Sequence, residues 1–149
     1  MKKFAAIAAI VLTAAQPVFA GNNTGTLEGE NTRAMKSFNA SYKGASAIWN
    51  EEKNYTEVLF FWNGHMMDSF YDVDGNLIGT FHTVAASTLP AKVREHIASW
   101  YKGYEIKEVT VMQKDGEDDM TYVKVVSPKH IRVLEVKADG DINEFEALR

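Results

Sequence analysis

Asp74-Gly75 and Asp139-Gly140, two of the three Asp-Gly pairs in the chain, each stand between closely spaced runs that read as β-strands, and the chain must therefore reverse direction at each. Asp-Gly in this setting predicts a two-residue hairpin loop, because both loop positions then need positive φ, which glycine and, less readily, aspartate supply. Upstream of each pair lies the tripeptide Tyr-Lys-Gly, at Tyr42-Lys43-Gly44 and Tyr101-Lys102-Gly103. The tripeptides are 59 positions apart and the turn glycines 65, so the second copy holds six more residues, which Lys114-Asp115-Gly116-Glu117-Asp118-Asp119 can accommodate. The pattern predicts a duplicated chain.

The first residues belong to a different problem. Met1-Lys2-Lys3, an apolar run from Phe4 to Ala15, and Val18-Phe19-Ala20 with small residues at −3 and −1 form a Sec-type signal peptide cleaved after Ala20. The run is short for a bilayer, Pro17 interrupts it, and nothing later reaches 18 consecutive apolar residues, so no membrane span is expected. Periplasm or extracellular space is the expected destination. The 149-residue chain has no cysteine, so packing alone must hold the exported fold. Cleavage removes two lysines and moves the net charge from −4 to −6, which argues against nucleic acid as a partner.

In order, residues 21–31 are Gly/Asn/Thr-rich and read as a flexible lead. Ala34, Met35, Phe38 and Tyr42 fall at helical spacing from Thr32, with Gly44 ending the helix. Strands are expected over 45–49, 55–62, 65–72 and 77–82, punctuated by Asn63-Gly64 and Asp74-Gly75. Residues 83–88 form a connector. Leu89-Pro90 opens a second helix in which Val93, Ile97, Trp100 and Tyr101 share a face, and strands follow over 104–113, 120–126, 130–137 and 141–147. The fold class is therefore α+β, a tandem repeat of a helix followed by a four-stranded antiparallel meander, with units at 32–83 and 88–149.

Tyr42, Gly44, Ala45 and Trp49, followed by an aromatic strand and the hairpin Tyr71-Asp72-Val73-Asp74-Gly75, resemble the PepSY-like domains of exported bacterial proteins. Those domains are similar to the repeat unit of beta-lactamase inhibitory protein. In the second copy Glu108 stands at the Trp49 position and Lys137 at the Asp72 position. The resemblance implies a fold and a leaning towards protein binding or inhibition; the motif residues are turn and core positions, and no catalytic set comes with them.

Two-residue loops at Asn63-Gly64 and Asp74-Gly75 would send Val58, Phe60, Trp62, Met67, Ser69, Tyr71, Ile78 and Thr80 towards the helix. The opposite, outer face would carry Tyr55, Leu59, Phe61, Met66, Phe70, Leu77 and Phe81 among Glu57, Asp68 and Asp72, and its charges place it in solvent. The same construction from Asp139-Gly140 sends Leu134, Val136 and Phe145 inward and Glu135, Lys137, Glu144 and Glu146 outward. Aromatic and methionine side chains are enriched in interfaces, so Tyr55, Glu57, Leu59, Phe61, Met66, Asp68, Phe70 and Phe81 form the candidate protein-binding set.

Other chemistry finds no parts. His65, His82, His96 and His130 lack zinc-site spacing and read as structural or surface residues, with His65 and His82 on the inner face. A calcium loop starting at Asp72 would need Gly at 77 and Glu at 83, where Leu77 and Thr83 stand. No cofactor, nucleophile motif or phosphate loop is present, and an open-face carboxylate pair such as Glu57 and Asp68 lacks the burial that tunes a catalytic acid. The reading is a non-enzymatic binding module. The alternatives are a carrier of a small apolar ligand held between the sheet and residues 83–88, and a homo-oligomer formed through the aromatic face.

Overall fold

The computed structural model describes residues 32–114 and 116–145. The signal peptide and lead read over 1–31, and Glu146, lie outside the described residues. The chain divides between His82 and Thr83 into two compact units. Both are of the α+β kind.

In the first unit, α1 (Thr32–Ser41) precedes β1 (Ala47–Glu51), β2 (Tyr55–Trp62), β3 (His65–Asp72) and β4 (Leu77–Val84), with β1 to β4 side by side in sequence order and antiparallel. The helix buries Ala34 and Phe38, four residues apart on one stripe. Phe38 is the centre of the core: its ring lies 5.3 Å from Tyr42, 5.3 Å edge-on from Trp49 and 4.8 Å edge-on from Phe60. Burying a side chain of this size contributes about 1.5–3 kcal/mol, before any edge-to-face preference. Two strand hydroxyls under the helix satisfy each other, Ser69 Oγ to Thr80 Oγ1 at 2.7 Å, so this pair is buried without a lost hydrogen bond.

The loops set which residues face the helix. At Asn63-Gly64 both φ angles are positive, 49° and 86°, and Trp62 pairs with His65, a two-residue loop as expected. Asp74-Gly75 differs. Gly75 has φ 80°, but Asn63 is the only non-glycine with positive φ among the described residues, so Asp74 stays right-handed. Asp72 N–H donates to Asn76 O and Gly75 N–H to Asp72 O, which closes a three-residue loop over Val73, Asp74 and Gly75. The Asp72 carboxylate braces this loop: its Oδ1 accepts from the N–H groups of Asp74 and Asn76, both at 2.9 Å, and Oδ2 from the Asn76 side chain at 3.0 Å. Only glycine then has to be left-handed.

The extra loop residue would reverse every face of β4. A bulge between Phe70 and Tyr71 absorbs it: Tyr71 pairs with Leu77, Phe70 with Gly79, and Ile78 is the surplus residue. Leu77 therefore packs on the helix-side core, against the expectation that it faced outward, and Ile78 gives up its inward place. From Gly79 onward the expected register returns, with Ser69 opposite Thr80 and Asp68 opposite Phe81.

In the second unit a 3-10 turn (Ala86–Thr88) and α2 (Ala91–Trp100) precede β5 (Glu105–Gln113), β6 (Met120–Val126), β7 (Ile131–Val136) and β8 (Ile142–Phe145), again adjacent in order and antiparallel. The core joins Leu89, Val93 and Ile97 to Val109, Val123, Val125, Leu134 and Val136. Trp100, expected on the buried face, is 75% exposed: it stands one turn beyond His96 and packs on that ring at 4.3 Å, while Tyr101, past the helix end, meets the core. Asp139-Gly140 is also a three-residue loop, with Gly140 at φ 90°, and no bulge corrects β8. Phe145 accordingly pairs with Val133 and packs on Tyr122, and Glu144 joins Arg132 beside Tyr104, each opposite to the expectation from a two-residue loop. A bulge between Ile106 and Glu108 likewise takes Glu108 off the position of a Trp49 counterpart and sets it opposite Lys124.

The two turn glycines separate conformational from steric cost. A Cβ on Gly75 would lie 2.5 Å from Arg33 Cβ and 2.6 Å from Arg33 C, whereas one on Gly140 would meet only Val93 Cγ2 at 3.8 Å. Gly140→Ala should cost about 1–2 kcal/mol, the left-handed penalty alone. Gly75→Ala should cost at least about 2 kcal/mol more, because helix backbone must move. Urea unfolding of both variants checks this; equal losses would mean that the close approach at Gly75 is not a constraint.

Candidate functional site

All eight residues of the candidate set fall on one face of the first unit's sheet. The β2–β3 register sets Tyr55 opposite Asp72, Glu57 opposite Phe70, Leu59 opposite Asp68 and Phe61 opposite Met66, and β4 adds Phe81 beside Asp68. Alternation along each strand keeps them on the side away from α1.

They do not share one environment. Phe61 is 62% exposed and Met66 39%, and this cross-strand pair stands next to the Asn63-Gly64 loop. Tyr55, Glu57, Leu59 and Asp68 are half-buried. Phe70 and Phe81 are 0% and 1% exposed, so neither is the open anchor expected of it. Phe70 sits opposite Gly79, which leaves a gap its ring can fill, with Tyr55 packed 5.6 Å away on one side and Phe81 edge-on at 5.6 Å on the other. Nothing in the alternation pattern distinguishes this central residue from the rim; the facing glycine is the signal that could have done so.

The polar centre of the face is the pair Glu57 and Asp68. Against the expectation that this pair lacks burial, burial pushes the Asp68 carboxyl up to about 8, with the Glu57 charge and a hydrogen bond to Glu57 acting in the same direction. Near neutrality Asp68 is therefore a proton donor to the Glu57 carboxylate, whose Oε2 also accepts from Asn50 Nδ2 at 2.8 Å. Asp68 Oδ1 is buried and has no hydrogen-bond partner among the described residues. The Tyr55 hydroxyl is raised as well, first by burial and then by the charges of Glu52, Glu57 and Asp68. Asn50 belongs to the site and was missed, because only the β1–β2 register reveals that it faces Glu57. At the end of the face, burial alone would raise Asp72, but the bonds from Asn76, Asp74 and Gly75 outweigh it and hold its carboxyl below the usual range. That carboxylate organises its own turn.

Asp74, Gly75, Asp139 and Gly140 occupy the loops described above, and they differ in partners. Asp74 forms an ion pair with Arg33 at 2.9 Å, while Asp139 Oδ1 accepts from Asp141 N–H at 3.0 Å. On the helix side of the first unit the rings of His65 and His82 lie 5.7 Å apart. Among the described residues no three His, Asp or Glu side chains converge as a metal-binding group, and no helix is long and apolar enough to cross a membrane.

Two outcomes follow from this geometry. Phe70→Ala should cost about 3–5 kcal/mol, as a buried aromatic, and Phe61→Ala less than about 0.5 kcal/mol, both read from chemical denaturation. Similar losses would place both residues in one environment. The raised Asp68 carboxyl also makes stability pH-dependent. The native state holds its proton more tightly than an unfolded carboxyl of about 3.9, so this group's contribution is full below that value and declines as pH rises towards about 8. Asp68→Asn should remove that decline, and its melting temperature should gain on the parent's between about pH 5 and pH 8.5; parallel curves would show that Asp68 titrates normally.

Sequence comparison matches no family model and no curated protein. Solved structures do match. A BLIP-like protein from Bacteroides fragilis superposes with a TM-score of 0.68 at 17% identity, covering 86% of this chain and 92% of that one. A DUF2874 family protein from Bacteroides ovatus gives 0.67 at 17% identity over 79% and 89%. A Bacteroides eggerthii protein, provisionally described as periplasmic, gives 0.66 at 16% identity over 77% and 86%. At such identities the likeness shows the fold, and this chain therefore has an α+β fold similar to those of BLIP-like and DUF2874 proteins of Bacteroides.

Proposed function

We propose that the chain is an exported, non-enzymatic protein-binding module that docks through the outer face of its first unit. The observation that carries this reading is the exposed pair Phe61 and Met66, directly opposite each other at one end of a face whose middle holds the half-buried Glu57 and Asp68. An exposed aromatic beside methionine, ringed by polar groups, is the composition of an interface centre and its rim. Tyr55 and Leu59 extend the contact surface. Phe70 and Phe81 act from beneath, keeping the sheet stiff so that little order is lost on docking. The BLIP-like neighbour from Bacteroides fragilis supports the class, and the Bacteroides eggerthii neighbour described as periplasmic supports the compartment. In this reading the two units descend from one PepSY-like element, and residues 1–20 are the cleaved export signal.

A photoreactive residue at position 61 of the exported chain, compared with one at position 100 on α2, tests the reading in native envelope fractions. Cross-linking of one protein from position 61, lost when Met66→Ser is added without a change in melting temperature, is the expected result. Cross-links that form equally from position 100, or none from position 61, would overturn it.

A further inference from the structure

Two imidazoles and a thioether share the helix-side face of the first unit near the Asn63-Gly64 loop. Met67 pairs with His82 across β3 and β4, and His65 precedes Met67 by two residues, so alternation puts all three side chains on one face. Spacing along the chain hides the group, because His82 stands 17 positions after His65. The two imidazoles nonetheless meet, with ring centres 5.7 Å apart at an interplanar angle of 63°.

That separation is the one a shared ion would impose. With metal–nitrogen bonds of about 2.0–2.1 Å and about 1.2 Å more from each nitrogen to its ring centre, two imidazoles on one ion hold their centres about 5–6.5 Å apart. Rotation about χ2 turns a ring nitrogen towards the ion and barely moves the ring centre, so the backbone can stay as it is. His65 is exposed and His82 half-buried, which leaves an entry path, while Met67 belongs to the buried core at 8% exposure.

The donors and their surroundings select the ion. Imidazole serves several transition metals, whereas a thioether favours copper in its monovalent state. The neighbouring strand residues on this face, Trp62, Ser69 and Thr80, are uncharged, so only neutral groups would compensate the charge that enters. A single charge costs far less to desolvate there than the double charge of zinc, since the cost rises with the square of the charge. We infer that the first unit binds one copper(I) ion between the imidazoles of His65 and His82, with the Met67 thioether as third donor. The site lies on the opposite side of the sheet from Phe61 and Met66, and either can fail without the other.

Transfer of copper(I) from its coloured bicinchoninate complex to the untagged chain, in ascorbate without oxygen, tests the inference. One equivalent should pass to the parent chain, and His96→Ala on α2 should leave that stoichiometry unchanged. His65→Ala, at an exposed position, should weaken copper(I) at least about tenfold, the least that loss of a metal-site partner costs. Met67→Leu conserves volume and should weaken copper(I) while leaving the zinc(II) affinity of the same chain unchanged. No transfer to the parent chain would overturn the proposal, and so would equal transfer to the His65→Ala chain. Zinc(II) displacing copper(I) at equal concentration would do the same, as would a folded Met67→Leu chain that holds copper(I) as tightly as its parent.

Discussion

The close approach of the Asp74-Gly75 loop to the first turn of α1 governs the first unit. A Cβ at Gly75 would collide with helix backbone, so only glycine fits at that position of the loop. The Asp72 carboxylate braces the loop by accepting the N–H groups of Asp74 and Asn76. The loop then has three residues rather than two, and the bulge at Ile78 is the consequence, since without it β4 would turn Thr80 away from Ser69 and leave buried hydroxyls unpaired. Loop length, bulge and the residues that share a face are thus linked in this unit.

The face so produced is graded. Its middle is held by Phe70 and Phe81, buried against Tyr55 and over Gly79, and its end by the open pair Phe61 and Met66. Between them, Glu57 and Asp68 share a proton in a setting that water does not fully solvate. A partner group meeting this face encounters a firm apolar rim and a carboxyl pair whose charge depends on what replaces the solvent above it.

In the second unit the turn meets its helix differently. Val93 Cγ2 would lie 3.8 Å from a Cβ on Gly140, an ordinary contact, where the first unit brings its turn glycine onto the backbone of Arg33 and Ala34. The absence of a bulge in β8 leaves Phe145 packed on Tyr122, while the bulge in β5 moves Glu108 to Lys124. Corresponding residues therefore need not have corresponding surroundings.

From the sequence alone came the helix stripes, the strand runs and the position of every reversal, because 3.6-residue and two-residue periodicities and turn glycines are local properties of the chain. β2, β3 and β6 run over the residues expected of them, and the eight candidate residues do share a face. Tertiary structure alone decided the loop lengths at Asp74-Gly75 and Asp139-Gly140, the bulges, the burial of Phe70 and Phe81, and the exposure of Trp100. An Asp-Gly pair suits both a two-residue loop and a three-residue one, and the three-residue form occurs with Asp72 two residues upstream of one pair and Lys137 two residues upstream of the other. Burial likewise depends on which atoms arrive from elsewhere, as the glycine opposite Phe70 shows. Periodicity says which residues lie together on a face; contacts from outside the strand decide which of them are left open.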